Sequence, residues 1–231
     1  MTAALDGPRI PAAAGRTSQL VVFLHGYGAD GADLIELGRQ WRTLLPEAAF
    51  VSPHAPDRAP GAPMGRQWFA LSNRSPDETA GAGERWTGAV NARGVIDAFL
   101  DAELKRLGLD DSKLALVGFS QGSMMALHVG LRRPRAPAAI LGFSGLLVGP
   151  EHLSEATARA AGVAAPPILL IHGDQDPMIP FDAMFMAAEA LAGASIPTQW
   201  HLSRGIGHGI DAEGLRQGGL FLAKAFADRK R

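Results

Sequence analysis

The chain has no cysteine among its 231 residues. That excludes a disulfide framework, a thiolate metal site and a cysteine nucleophile. It is compatible with a reducing compartment. No charge of one sign dominates, because 22 Lys and Arg face 23 Asp and Glu. Without a basic face, nucleic acid is not an expected partner. No long hydrophobic run exists either. The longest, Ala138 to Val148, is interrupted by Gly142, Ser144 and Gly145 and is too short to insert stably in a membrane. The opening MTAALDGPRIPAAAG has no charged segment followed by an apolar one, so no signal peptide is visible and a cytoplasmic protein is expected.

What is present suits a globular domain. The hydrophobic fraction is 47% and the charged fraction 19%. The length fits one large α/β domain that buries roughly 70–75% of its unfolded surface. The stretch that organises it is Leu114 to Leu131. It reads as a buried strand, a turn Gly118-Phe119-Ser120-Gln121-Gly122, and an amphipathic helix. A serine used as a nucleophile must stand clear of a sheet, and a sharp strand-to-helix reversal presents it so. Glycines two residues to either side remove side chains that would collide. The pattern alone is weak, since 28 Gly and 11 Ser give roughly 0.16 chance matches to G-x-S-x-G. The flanking strand and helix supply the specificity. Gly142-Phe143-Ser144-Gly145 lacks both the second glycine and a following helix, and reads as a structural turn.

Around this unit strands and helices alternate. Leu20–Leu24 is an apolar strand, followed by a helix to about Leu45 capped by Asp30 or Asp33. Ala49–Val51, Ala138–Leu141, Ile168–Ile171 and Pro197–Leu202 are further strands. Residues 1–18 carry little pattern and are expected as a loose arm or short edge strand. Residues 53–87, rich in Pro and Gly, are expected as an irregular loop near the site, with Thr87 capping the next helix. Its Trp68-Phe69 is either a plug over a helix or a wall of a pocket. A short helix is expected within Ser154–Ala161. About six parallel strands result, a three-layer α/β sandwich with its site at the carboxyl ends of the strands.

A serine hydroxyl needs an adjacent base that is itself oriented by a third group. In an elbow architecture the chain order is Ser, then Asp or Glu, then His. Of seven histidines, His208 lies in an open loop after the last strand, between Gly207 and Gly209, and is the expected base. At least two of His25, His54 and His172, at strand ends, are expected to bond loop backbone. His128 reads as a helix-face residue. For the acid, Asp174 and Asp176 follow the same strand. Position alone leaves both open, with a slight lean to Asp176. An oxyanion hole needs backbone N–H groups. Gln121 should give one and the loop His25-Gly26-Tyr27-Gly28 the other. Trp68, Phe69, Leu71 and Met178 are apolar loop residues placed to receive an acyl chain.

Together HGYGADGADL, the Trp68-Phe69 loop, GFSQGSMMALH, FSGLL, HGDQDPMIP and GIGHGI resemble the phospholipase/carboxylesterase family of α/β-hydrolases, which includes bacterial carboxylesterases and acyl-protein thioesterases. The motifs run in the family's order from about Leu20 to Phe226. The resemblance implies the α/β-hydrolase fold and a serine carboxylesterase. Its nucleophile, acid and base fall on Ser120, Asp176 and His208, and its oxyanion donors on the backbone of Tyr27 and Gln121. It implies no cofactor and no metal, a small-molecule ester as substrate, and allows a homodimer. Ala70 stands where the family's aromatic motif carries Asp, and Tyr27 where many members have Leu; both bear on substrate preference. The sister reading is an acyl-protein thioesterase or lysophospholipase, and the rival from another class is a non-catalytic hydrolase-fold binding protein.

Overall fold

Leu20 to Leu24 are apolar at every position because the strand they form is covered on both faces. The computed structural model describes residues 4–71, 78–157 and 164–229. Its main sheet has seven strands: β1 (Arg9–Ile10), β2 (Gln19–Leu24), β3 (Ala48–Val51), β6 (Leu114–Phe119), β7 (Ala139–Phe143), β8 (Ile168–Gly173) and β9 (Thr198–Ser203). Their spatial order is β1-β3-β2-β6-β7-β8-β9. All neighbours are parallel except β1, which pairs antiparallel with β3. Two further strands, β4 (Asp57–Arg58) and β5 (Arg66–Gln67), form a separate antiparallel ribbon.

Alternate residues of the central strands point to opposite faces, and each face has its own helices. Helices α1 (Gly31–Trp41) and α6 (Ala212–Asp228) cover Val21, Phe23, Val117, Leu141 and Ile171. Helices α2 (Glu78–Leu107), α3 (Gln121–Gly130), α4 (Leu153–Thr157) and α5 (Asp182–Gly193) cover Leu20, Val22, Leu116, Ile140 and Leu170. The result is a three-layer α/β-hydrolase fold. Asp30 caps α1 by accepting from the Ala32 N–H at 2.8 Å, which decides between the two capping candidates. None of the helices among the described residues is long and apolar enough to cross a membrane.

Three expectations need correction. The arm is not loose over its length. Residues 9–10 form β1, and the Ser52 N–H donates to Pro8 O at 3.1 Å. Residues 53–87 are less irregular than their composition suggests. They include the β4–β5 ribbon, and α2 starts at Glu78. Thr87 therefore lies inside α2, where its hydroxyl donates back to Gly83 O at 3.0 Å rather than capping an N-terminus. Gly81 and Gly83 disguised that turn of helix as loop. The antiparallel β1 joins the six parallel strands that the sequence led one to expect, so the sheet is mainly parallel. Of the short helix expected within Ser154–Ala161, α4 covers residues up to Thr157; 158–161 lie outside the described residues, as do 1–3 and 72–77.

Candidate active site

The turn from β6 into α3 strains one residue. Ser120 has φ 53° and ψ −118°, a conformation that L-residues other than glycine rarely adopt. The flanking glycines make the turn sterically feasible. A Cβ on Gly118 would stand 2.2 Å from Gly122 O, and one on Gly122 would stand 1.8 Å from Leu24 O. The Ser120 N–H donates to Phe143 O at 2.9 Å, which ties the elbow to the end of β7. Gln121 opens α3, so its N–H has no acceptor from a preceding helical turn.

Strand register brings the other loops to the same edge. Leu24 pairs with Gly118, so the loop after β2 emerges beside the elbow. A Cβ on Gly26 would meet the Ser120 Cβ at 3.4 Å. The loops after β8 and β9 carry Asp176 and His208. His208 Nδ1 lies 2.7 Å from Asp176 Oδ2. The Phe119 and His208 rings are 4.9 Å apart. Ser144, at φ 45° after β7, donates its hydroxyl to Gly209 O at 3.4 Å, beside His208. Among the described residues no hydrogen bond joins Ser120 to His208; such bonds are often loose without substrate.

The side chain of Asp176 is closed off from solvent and takes four donors. Oδ1 accepts from the Met178 and Ile179 N–H groups at 2.8 and 2.9 Å. Oδ2 accepts from His208 and from His172 Nε2, the latter at 3.0 Å. Burial pushes the Asp176 carboxyl up, but the Ile179 N–H, the His208 imidazole and the Met178 N–H outweigh it. The net effect holds it below the ordinary carboxylate range. A carboxylate on Nδ1 fixes the His208 tautomer with Nε2 free to take a proton. Asp174 does a different job. Its Oδ1 accepts from the Gly205 N–H at 2.6 Å and staples the two loops together.

Sequence reasoning missed His172 as a partner of Asp176, although their spacing of four across a strand end was readable. It placed His172 among the backbone-bonding histidines, and Nε2 does also reach Ile179 O at 2.9 Å. His25 and His54 bond loop backbone as well, through Gly26 O and Ala55 N–H for the first and Gly31 N–H for the second. Trp68 and Phe69 are buried, at 2% and 4% exposure, so both serve as plugs. Phe69 lies on Gly88 of α2, where a Cβ would come within 2.7 Å of its ring. Both also line, with Leu71, a cavity of about 1110 Å³ bounded by α2. Met178 is not among its lining residues and stands exposed on the loop that carries Asp176. Among the described residues no cluster of His, Cys, Asp and Glu could hold a metal ion.

Residues 5–226 match the model of the phospholipase/carboxylesterase family. The chain belongs to that family. Membership makes it a carboxylic ester hydrolase. Among solved structures, esterase PE8 is similar over 96% of this chain and 100% of its own, with 43% identity and a TM-score of 0.88. Acyl-protein thioesterase 1 of Gibberella zeae is 26% identical over 230 residues, 97% of each chain. Esterase YpfH of Escherichia coli is 29% identical over 206 residues, 86% of this chain and 79% of its own.

Proposed function

We propose that this family member is a serine carboxylesterase acting through an acyl-enzyme. The Ser120 hydroxyl attacks the ester carbonyl, and its proton passes to Nε2 of His208. Asp176 orients the imidazole and stabilises its charged form. The N–H groups of Tyr27 and Gln121 receive the carbonyl oxygen as it becomes an anion. The intermediate collapses, the bond to the leaving alkoxide breaks, and His208 returns the proton to it. Water then repeats the sequence on the acyl-serine and releases the acid. The observation that carries this reading is the Asp176–His208 pair at 2.7 Å, on the same sheet edge as a serine held at φ 53°.

The cavity beside Trp68, Phe69 and Leu71 supports an acyl chain running along that loop toward α2. Met178 is proposed as a rim contact. A cytoplasmic setting is proposed on the absence of cysteine. The thioesterase reading is supported by the full-length similarity to acyl-protein thioesterase 1 of Gibberella zeae. Hydrolysis of p-nitrophenyl esters from acetyl to dodecanoyl, beside the matching acyl thioesters and with Ser120→Ala as the blank, tests both. A Ser120-dependent rate on esters that peaks at short chains supports the carboxylesterase. A preference for long-chain thioesters moves the assignment to the sister reading. If a fluorophosphonate labels neither the parent chain nor Ser120→Ala, and no ester is turned over, the serine-hydrolase proposal is wrong.

A further inference from the structure

The two proposed oxyanion donors come from loops far apart in sequence, and their N–H groups must converge on one point. We infer that the Gln121 side chain and the Trp68 indole are positioning residues that brace these two donors against each other. The inference rests on the proposed oxyanion hole.

The brace can be followed bond by bond. Gln121 is fully buried. Its Oε1 accepts from the Trp68 N–H at 2.9 Å, and its Nε2 donates to Phe69 O at 2.7 Å. The amide thus grips the 68–69 backbone as a neighbouring strand would. From that loop the Trp68 indole N–H donates to His25 O at 2.8 Å. The His25 ring continues the path. Nε2 accepts from the Ala55 N–H at 3.0 Å, which leaves the ring proton on Nδ1. Nδ1 then donates to Gly26 O at 2.8 Å. Burial pushes the His25 pKa down, so the ring stays neutral and keeps this donor–acceptor pattern.

The last bond matters most. Gly26 C=O and Tyr27 N–H belong to one peptide plane and point in opposite directions across it. A hydrogen bond that fixes the carbonyl therefore fixes the direction of the N–H. The Tyr27 side chain is anchored away from this path, its hydroxyl donating to Pro60 O at 3.0 Å. A continuous set of buried bonds thus runs from the Gln121 residue to the Tyr27 N–H. Both donors are held before any charge develops, which is what electrostatic preorganisation requires.

Position 121 offers an unusually direct test, since any substitution but proline keeps the backbone N–H. The Gln121→Met variant keeps the donor and nearly the volume but loses both side-chain bonds. Trp68→Phe keeps an aromatic plug but loses the indole N–H together with part of the buried ring volume, so a cavity term accompanies it. The readouts are kcat and KM per active site titrated with a fluorophosphonate, and Ki for an alkyl trifluoromethyl ketone. That ketone forms a bond to Ser120 Oγ, places an anionic oxygen in the hole and sends the hydroxyl proton to His208. Gln121→Met is expected to lower kcat roughly tenfold or more with KM changed less than about threefold. The ketone Ki should rise by the factor by which kcat/KM falls, with a smaller parallel effect in Trp68→Phe. Packing damage alone lowers the titrated active fraction and the melting temperature without that parallel. The brace is refuted if either folded variant keeps kcat and Ki within about twofold of the parent, or if kcat falls with Ki unchanged. If Gln121→Met does not fold, Trp68→Phe decides alone. If the parent's turnover and ketone binding are themselves independent of Ser120, the proposed function fails first and takes the brace with it.

Discussion

His128 puts a titratable ring where water does not reach. It lies on α3 at 2% exposure, edge-on to Trp86 at 5.2 Å, with Nε2 unpartnered among the described residues. Burial, with help from the Arg132 and Arg93 charges, pushes its pKa down to about 3. In the unfolded chain it titrates near 6.5. Between those values the unfolded state takes up a proton that the native state refuses. Stability from this site is therefore complete above about pH 6.5 and declines as pH falls toward 3. At pH 4.5 the loss is about 2–3 kcal/mol. Urea unfolding of the parent and His128→Leu at pH 7 and pH 4.5 checks it, and the parent should lose about that much more than the variant. Equal losses would rule the coupling out. At this scale the sequence was legible in local placement, since Ser120 stands at a strand-to-helix turn and His208 in the loop after the last strand, as their neighbours indicated. Loop position left Asp174 and Asp176 open because both suit a turn; the family resemblance pointed to Asp176, and the geometry puts that residue on His208. The sequence could not disclose the Gln121 amide, whose partners Trp68 and Phe69 depend on packing between segments remote in the chain, whereas the His172 partner lay only four residues on and was overlooked.

Among the elements, α2 and α3 are tied together by one guanidinium. Arg133, just after α3, is 5% exposed and reaches Asp111 at 2.8 Å, Asp97 at 3.0 Å and Asp101 at 2.6 Å. Burial alone would lower its pKa, but the three carboxylates outweigh that and hold the charge firmly in place. Asp101 is mostly exposed and Asp97 partly so, while Asp111 is shielded. Removing the cation would strand the Asp111 charge above all. Breaking a buried pair by deleting one partner costs about 3–5 kcal/mol. Arg133→Met should lower the urea unfolding free energy toward that range, and pairing it with Asp111→Asn should recover part of the loss. A loss below about 1 kcal/mol would mean that the pair is screened as surface pairs are. Strands were readable wherever a continuous apolar run marked them, as in β2, β6 and β8. The first turns of α2 were not, because Gly81 and Gly83 carry no periodicity and Trp86 finds its partners elsewhere. It stacks on His152 at 3.9 Å and packs against Gly149.

Across the whole molecule, the edge of the sheet is where the sequence said least and where the site is most remotely supported. Strand β1 has two residues, too few for any period to show, and Pro8 and Pro11 flank them. Yet this segment closes the sheet beside β3, with Arg9 opposite Val51 and Ile10 opposite Phe50. Asp6 O accepts from the His54 N–H at 2.8 Å, and Arg9 pairs with the shielded Glu103 at 2.8 Å. Those bonds hold the 52–54 turn, and the next residue, Ala55, gives the N–H that sets the His25 tautomer. Deleting residues 1–11 should therefore act in two ways. It strips the edge of β3, leaving unpaired backbone groups open to intermolecular pairing. It also deprives Glu103 of one of its two arginines; Arg106 still pairs with that carboxylate at 2.7 Å and Arg9 is partly exposed, so this loss by itself costs about 1 kcal/mol. The truncated chain should show a lower urea midpoint and concentration-dependent light scattering. Arg9→Met in the full chain should show part of the first effect and none of the second. If the truncated chain matched the parent in both, β1 would be an ornament on the sheet, and the 52–54 turn would have to be held from within.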